Sequence, residues 1–128
     1  MRKKLLIVIL ISFQFIALAQ VEFEHAWVYL ADKENVSKSI ANPILILSTE
    51  AIERKTNQGI VIDDRDVPVN ESYITQLKAA TGITVLAKSK WMNAVHVIGI
   101  TSNIETLLNN FSFISSIQYA NGNISVSK

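Results

Sequence analysis

Residues 83–100 read ITVLAKSKWMNAVHVIGI, and this stretch decides the fold. Ile83 to Lys90 and Ala94 to Ile100 are rich in β-branched residues, the composition of strands. Lys90-Trp91-Met92-Asn93 is a short turn between them, so the two runs form a hairpin. Upstream, Asn70 to Thr81 places Tyr73, Ile74, Leu77 and Ala80 on one apolar stripe of a helix. Asn70 suits its N-cap and Gly82 the position just past its C-terminus. Downstream, Ser102-Asn103-Ile104-Glu105 fits a capping box. Ile104, Leu107, Leu108 and Phe111 follow at helical spacing. Ile114 to Tyr119 is a further strand, and Ala120 to Lys128 is a polar tail with Ile124 and Val126 available for edge pairing.

Further upstream, His25 to Asp32 (HAWVYLAD) is a strand candidate. Ala26, Val28 and Leu30 share one face, and Trp27 and Tyr29 share the other. Residues 33–69 are then a connection of 37 residues. Ser48 can cap a helix over Thr49 to Lys55, with acids early and bases late as the helix dipole favours. Gly59 can end that helix, and Asp63 to Pro68 reads as an exposed loop.

The resulting order is strand, helix, strand, strand, helix, strand, with an extra helix in the first crossover. It predicts an α+β domain. The architecture is a ferredoxin-like, four-stranded antiparallel sheet with helices on one face. The other face would then carry Trp27, Tyr29 and His96. An open sheet face with these rings reads as a protein-contact surface. The competing reading is that residues 33–69 fold back over it.

The N-terminus is of a different kind. Arg2, Lys3 and Lys4 precede Leu5-Leu6-Ile7-Val8-Ile9-Leu10-Ile11, and Ala17-Leu18-Ala19 offers small residues before Gln20. This is the layout of a secretory signal peptide with cleavage between Ala19 and Gln20. The alternative, a membrane anchor, needs about 20 apolar residues, and Leu5 to Ala19 supplies 15. The expected organisation is a signal peptide at 1–19, a domain at 20–120 and a tail at 121–128. Export across the inner membrane would place the domain outside the cell or in the periplasm, with no membrane attachment after cleavage.

The chain has 128 residues, 49% of them hydrophobic, 18% charged and none cysteine. Disulfides, thiolate metal sites and a thiol nucleophile are thereby excluded. Signal removal leaves nine basic against eleven acidic residues, a net charge of −2. That gives no electrostatic footprint for nucleic acid. Glycan acceptor sequons stand at Asn35, Asn70, Asn110 and Asn123.

Catalytic chemistry is thinly represented. Neither a Gly-x-Ser-x-Gly elbow nor a Gly-rich phosphate loop occurs. His25 reads as a strand-start residue and His96 as a structural or interface histidine. Asp63, Asp64 and Asp66 could be offered to Ca²⁺, but the Gly and distal Glu of an EF-hand loop do not follow; a solvated turn fits better. Lys88 and Lys90 alternate along a strand and read as a solvated, edge-protecting face. No cofactor, metal site or catalytic residue is expected.

Three blocks carry a family resemblance. They are Asp66-Val67-Pro68-Val69-Asn70-Glu71-Ser72-Tyr73-Ile74, Gly82-Ile83-Thr84-Val85 and Ser89-Lys90-Trp91-Met92-Asn93-Ala94-Val95. Together with Leu47 to Lys55 they resemble the N-terminal propeptide region of secreted bacterial subtilisin-like serine peptidases. Pro68, Tyr73, Trp91 and Asn93 mark the motifs most clearly. Lys90, Met92 and His96 depart mildly, standing where that family often has Arg, Leu and a small polar residue. The peptidase motifs Asp-Ser/Thr-Gly, His-Gly-Thr and Gly-Thr-Ser-Met do not occur in the sequence. The resemblance therefore implies a prodomain without a catalytic domain of its own, free-standing or from a truncated or split gene. It implies a protease inhibitor and folding chaperone. Its partner would be a subtilisin-like serine peptidase, in trans or as the missing C-terminal domain. Trp27, Tyr29 and His96 would contact the protease. Tyr119, Asn121, Gly122, Asn123 and Ile124 would enter the substrate cleft. The rival expectation is an exported binding module for a non-protease partner.

Overall fold

The computed structural model describes residues 21–122 and 125–127. The expected cleavage residues Ala19 and Gln20, and the tail residues Asn123 and Ile124, lie outside them. The elements run β1 (Phe23–Leu30), α1 (Val36–Ala41), α2 (Thr49–Asn57), α3 (Glu71–Ala79), β2 (Ile83–Ser89), β3 (Ala94–Ile100), α4 (Thr101–Asn110), β4 (Ile114–Tyr119) and β5 (Ser125–Ser127). Short 3₁₀ turns at Pro43–Leu45 and Asp64–Asp66 interrupt the long connection. The strands lie in the order β2-β3-β1-β4-β5, and each described pair is antiparallel. The α+β class and the four-stranded antiparallel sheet are as expected. The short β5 is added at the edge of β4.

One face of the sheet is sealed. Ala26, Val28 and Leu30 of β1 and Val95 and Val97 of β3 are buried. They form one core with Ile74 and Leu77 of α3 and Ile104, Leu107 and Leu108 of α4. The alternation of β1 decides which side chains go inward, because a strand turns every second residue to the same face. Of these two helices, α3 begins at a local side-chain cap. The Asn70 side chain accepts from the Ser72 N–H at 2.9 Å and starts α3. The helix ends at Ala79, two residues earlier than expected, with Ala80 as its C-cap; Gly82 is therefore not the residue just past it, and takes φ +69 at the entry to β2, a left-handed conformation that glycine adopts without penalty. Gly99 serves differently. A Cβ there would stand 2.6 Å from the Gly82 carbonyl oxygen, so the hairpin strands close tightly at this point.

Four further expectations need correction. First, α4 lacks the capping box of Ser102 and Glu105. Its first helical residue is Thr101, its N-cap is Ile100, and no side chain caps it. The β1–β3 ladder runs out to Phe23↔Ile100, so the helix follows the strand without a loop residue and Ser102 is already inside it. Second, β1 begins at Phe23, two residues earlier than expected. Third, the connection holds α1 and the two 3₁₀ turns in addition to the capped helix α2. In that helix Ser48 does accept from the Ala51 N–H, at 3.2 Å.

Fourth, Asp63 to Pro68 is not a wholly exposed loop. Asp66 and Val67 are buried. The Asp66 carboxylate accepts from Lys55 Nζ at 2.9 Å and from the Asp63 N–H at 3.2 Å. Asp63 in turn accepts from the Arg65 backbone and guanidinium. These Arg65 hydrogen bonds, side chain first, hold the Asp63 carboxyl at about 2, below its ordinary 3.8. A depressed carboxyl gives stability that is present above the unfolded value and lost as pH falls through the folded one. The contribution of this turn is therefore expected to persist down to pH 3.8 and to vanish as pH falls to about 2. A carboxyl-carbon NMR titration of Asp63 checks this, and Arg65→Gln should return the midpoint toward 3.8. A parent midpoint already at 3.8 would mean that the pair does not form in solution.

Candidate functional site: the open sheet face

The second face of the sheet carries the other half of the β1 alternation. Phe23, His25, Trp27 and Tyr29 point away from the core. His25 is exposed, and Trp27, Tyr29 and His96 are half-buried. The register brings them together. Trp27 lies opposite His96 on β3, and His25 lies opposite Ile98. The Trp27 ring stacks on His96, with centroids 5.1 Å apart and planes at 26°. His25 Nδ1 and His96 Nε2 stand 3.1 Å apart, so one ring nitrogen donates and the other accepts. Tyr29 Oη donates to Gln118 Oε1 at 3.1 Å, across to β4. The three residues expected on this face thus lie on it, and His25 joins them as a fourth.

Phe23 extends the patch. It is 65% exposed and was missed because the strand was expected to start at His25. The spacing Phe23, His25, Trp27, Tyr29 was the available signal. The long connection is pinned elsewhere. Lys33 Nζ donates to the carbonyls of Asp64 at 2.6 Å, Val67 at 2.8 Å and Lys90 at 2.5 Å. One ammonium thus ties the end of β1, the connection and the hairpin turn together. Burial lowers the Lys33 pKa from its ordinary value, and the Asp64 carboxylate opposes that shift.

The motif residues divide by role. Asn93 takes φ 48 in the hairpin turn, a conformation asparagine tolerates better than most residues. Its Nδ2 donates to the Leu30 and Asp32 carbonyls at 3.1 and 2.9 Å. Tyr73 Oη donates to Asp32 Oδ1 at 2.9 Å, and its ring stacks on Phe113 at 4.1 Å. Pro68 sits between buried Val67 and Val69. Asn93 and Tyr73 thus tie parts of the fold together, while Pro68 itself is exposed. Trp91 is 72% exposed at the hairpin tip, with Lys90 Nζ 5.9 Å from its ring centre. Lys88 pairs with Glu71 across to α3.

The tail assignment changes at its first residue. Tyr119 is 3% exposed and packs in the core. Burial first, then the Glu105 and Glu24 carboxylates, pushes its hydroxyl up to about 12. Its ring is committed to the domain and is not part of a free tail. Asn121 and Gly122 are exposed. Beyond them, β5 pairs with β4 through Ser116↔Ser127, Ile117↔Val126 and Gln118↔Ser125.

Among the described residues, no three His, Cys, Asp or Glu gather as metal ligands, and no helix is long and apolar enough to cross a membrane. The chain is thus a small α+β domain with one sealed sheet face and one accessible face that bears rings. Within that class the family is specific: residues 25–128 match the peptidase S8 propeptide domain of Bacteroidota, and the chain belongs to that family. Comparison with curated proteins and with solved structures gives no match.

Proposed function

We propose that this domain is exported and docks on a subtilisin-like S8 peptidase catalytic domain, joined to it or separate, as inhibitor and folding chaperone. The observation that carries the reading is the accessible face of Phe23, His25, Trp27, Tyr29 and His96 on a chain of the S8 propeptide family. Aromatic rings set among polar groups are the usual energetic centre of a protein interface. The residues Asn121, Gly122, Asn123 and Ile124 would lie extended in the substrate cleft, gaining main-chain hydrogen bonds as an added strand does. The same contacts exclude substrate. A domain that binds the folded peptidase also stabilises it by mass action, which assists a slow-folding partner. The expected address is the periplasm or the exterior, after cleavage between Ala19 and Gln20.

The test is a titration of purified residues 20–128 against subtilisin-like peptidases of the same organism, following peptide hydrolysis. Dose-dependent slowing at micromolar domain is expected. Full hydrolysis at that concentration for every such peptidase would remove the inhibitor reading and favour a non-protease partner.

A further inference from the structure

We propose that His25 and His96 form a two-point chelate for a divalent transition-metal cation of the Zn²⁺ class. Two imidazole nitrogens bound to tetrahedral Zn²⁺, each at about 2.0–2.1 Å, stand about 3.3 Å apart. His25 Nδ1 and His96 Nε2 stand 3.1 Å apart. The two donor atoms therefore stand at nearly the bite of the metal, and binding breaks their hydrogen bond: the nitrogen that carries the shared proton ligates once that proton has moved to the other nitrogen of its own ring through solvent. Imidazole suits Zn²⁺, Cu²⁺ and Ni²⁺, whereas Mg²⁺ and Ca²⁺ take oxygen donors.

The pair is held on a rigid support. Both residues lie within paired strands, diagonal to each other across the β1–β3 ladder. Trp27 stacks on the His96 ring and fixes its plane. His25 is exposed, so the cation has an entry path. With two ligands from the domain, the remaining positions fall to water or to a donor supplied by whatever docks on this face. The site belongs to the domain alone and does not rest on the docking proposal.

The experiment is a titration of the untagged protein with Zn²⁺ alone, following the imidazole resonances of His25 and His96 by NMR, with Mg²⁺ as control. A saturable one-to-one shift of both rings in the micromolar range is expected, with none for Mg²⁺. His25→Gln alters an exposed side chain and should retain the parental circular dichroism. It should abolish saturable Zn²⁺ binding in the micromolar range, because one imidazole donor is left, and His96→Gln should do the same. No saturable shift of either ring at millimolar Zn²⁺ would overturn the proposal and leave the pair as a hydrogen bond only. Binding equally tight in both folded variants would overturn it as well.

Discussion

Replacing Trp27 and Tyr29 together by serine is expected to raise the inhibition constant against a cognate S8 peptidase by about thirtyfold or more. A buried aromatic anchor of an interface contributes about 2 kcal/mol or more when truncated, which corresponds to that factor. The cost to the fold should be far smaller. Both rings are half-buried on the face away from the core. What the domain itself loses is the Trp27–His96 stack and the Tyr29–Gln118 hydrogen bond, each about 1 kcal/mol. Inhibition titrations and thermal melts on the same preparation separate the two effects. Equal loss of binding and fold would make these side chains core. Unchanged inhibition in a folded variant would move the docking surface off this face.

Leu77→Ala should act in the opposite sense, on the fold first. Leu77 has no exposed surface and sits where α3 meets the sheet. Truncating a buried leucine removes about 2–5 kcal/mol, through lost burial and the cavity left behind. A small domain holds only about 5–15 kcal/mol in all, and this one has no disulfide to support it. The melting temperature should fall by roughly 10–30 °C. Circular dichroism against temperature reads it directly. A fall of only one or two degrees would mean that α3 does not pack on the sheet as described.

The contrast between these two positions shows what the sequence made legible. The period of two in β1 separated Val28 from Trp27, and the helical stripe put Leu77 inside. Local capping was readable where a loop precedes the helix, as at Ser48 and Asn70. It misled at Ser102, because the pairing of β3 with β1 decides where α4 starts and a local motif cannot report that. The same cause hid Phe23 from the open face. Helix α1 was missed because six residues are too few for a helical period to stand out, and its entry at Asn35 uses φ 55 with no side-chain cap. Asp66 looked solvated among charges, but its carboxylate is buried with Lys55, 11 residues away, and the Asp63 N–H as partners. The His25–His96 contact joins residues 71 apart in sequence. It depends on strand register, which composition does not encode.

The short pairing of β5 with β4 bears on the docking proposed above. An amide N–H donates to one acceptor at a time, so the chain end cannot rest on its own sheet edge and lie in a foreign cleft together. If the tail enters a cleft as proposed, residues 125–127 compete with that entry, because they would first have to leave the β4 edge. Three residue pairs hold that segment on the β4 edge. The domain's grip on any partner that takes the tail is the difference between two strand-like embraces, not the full strength of one.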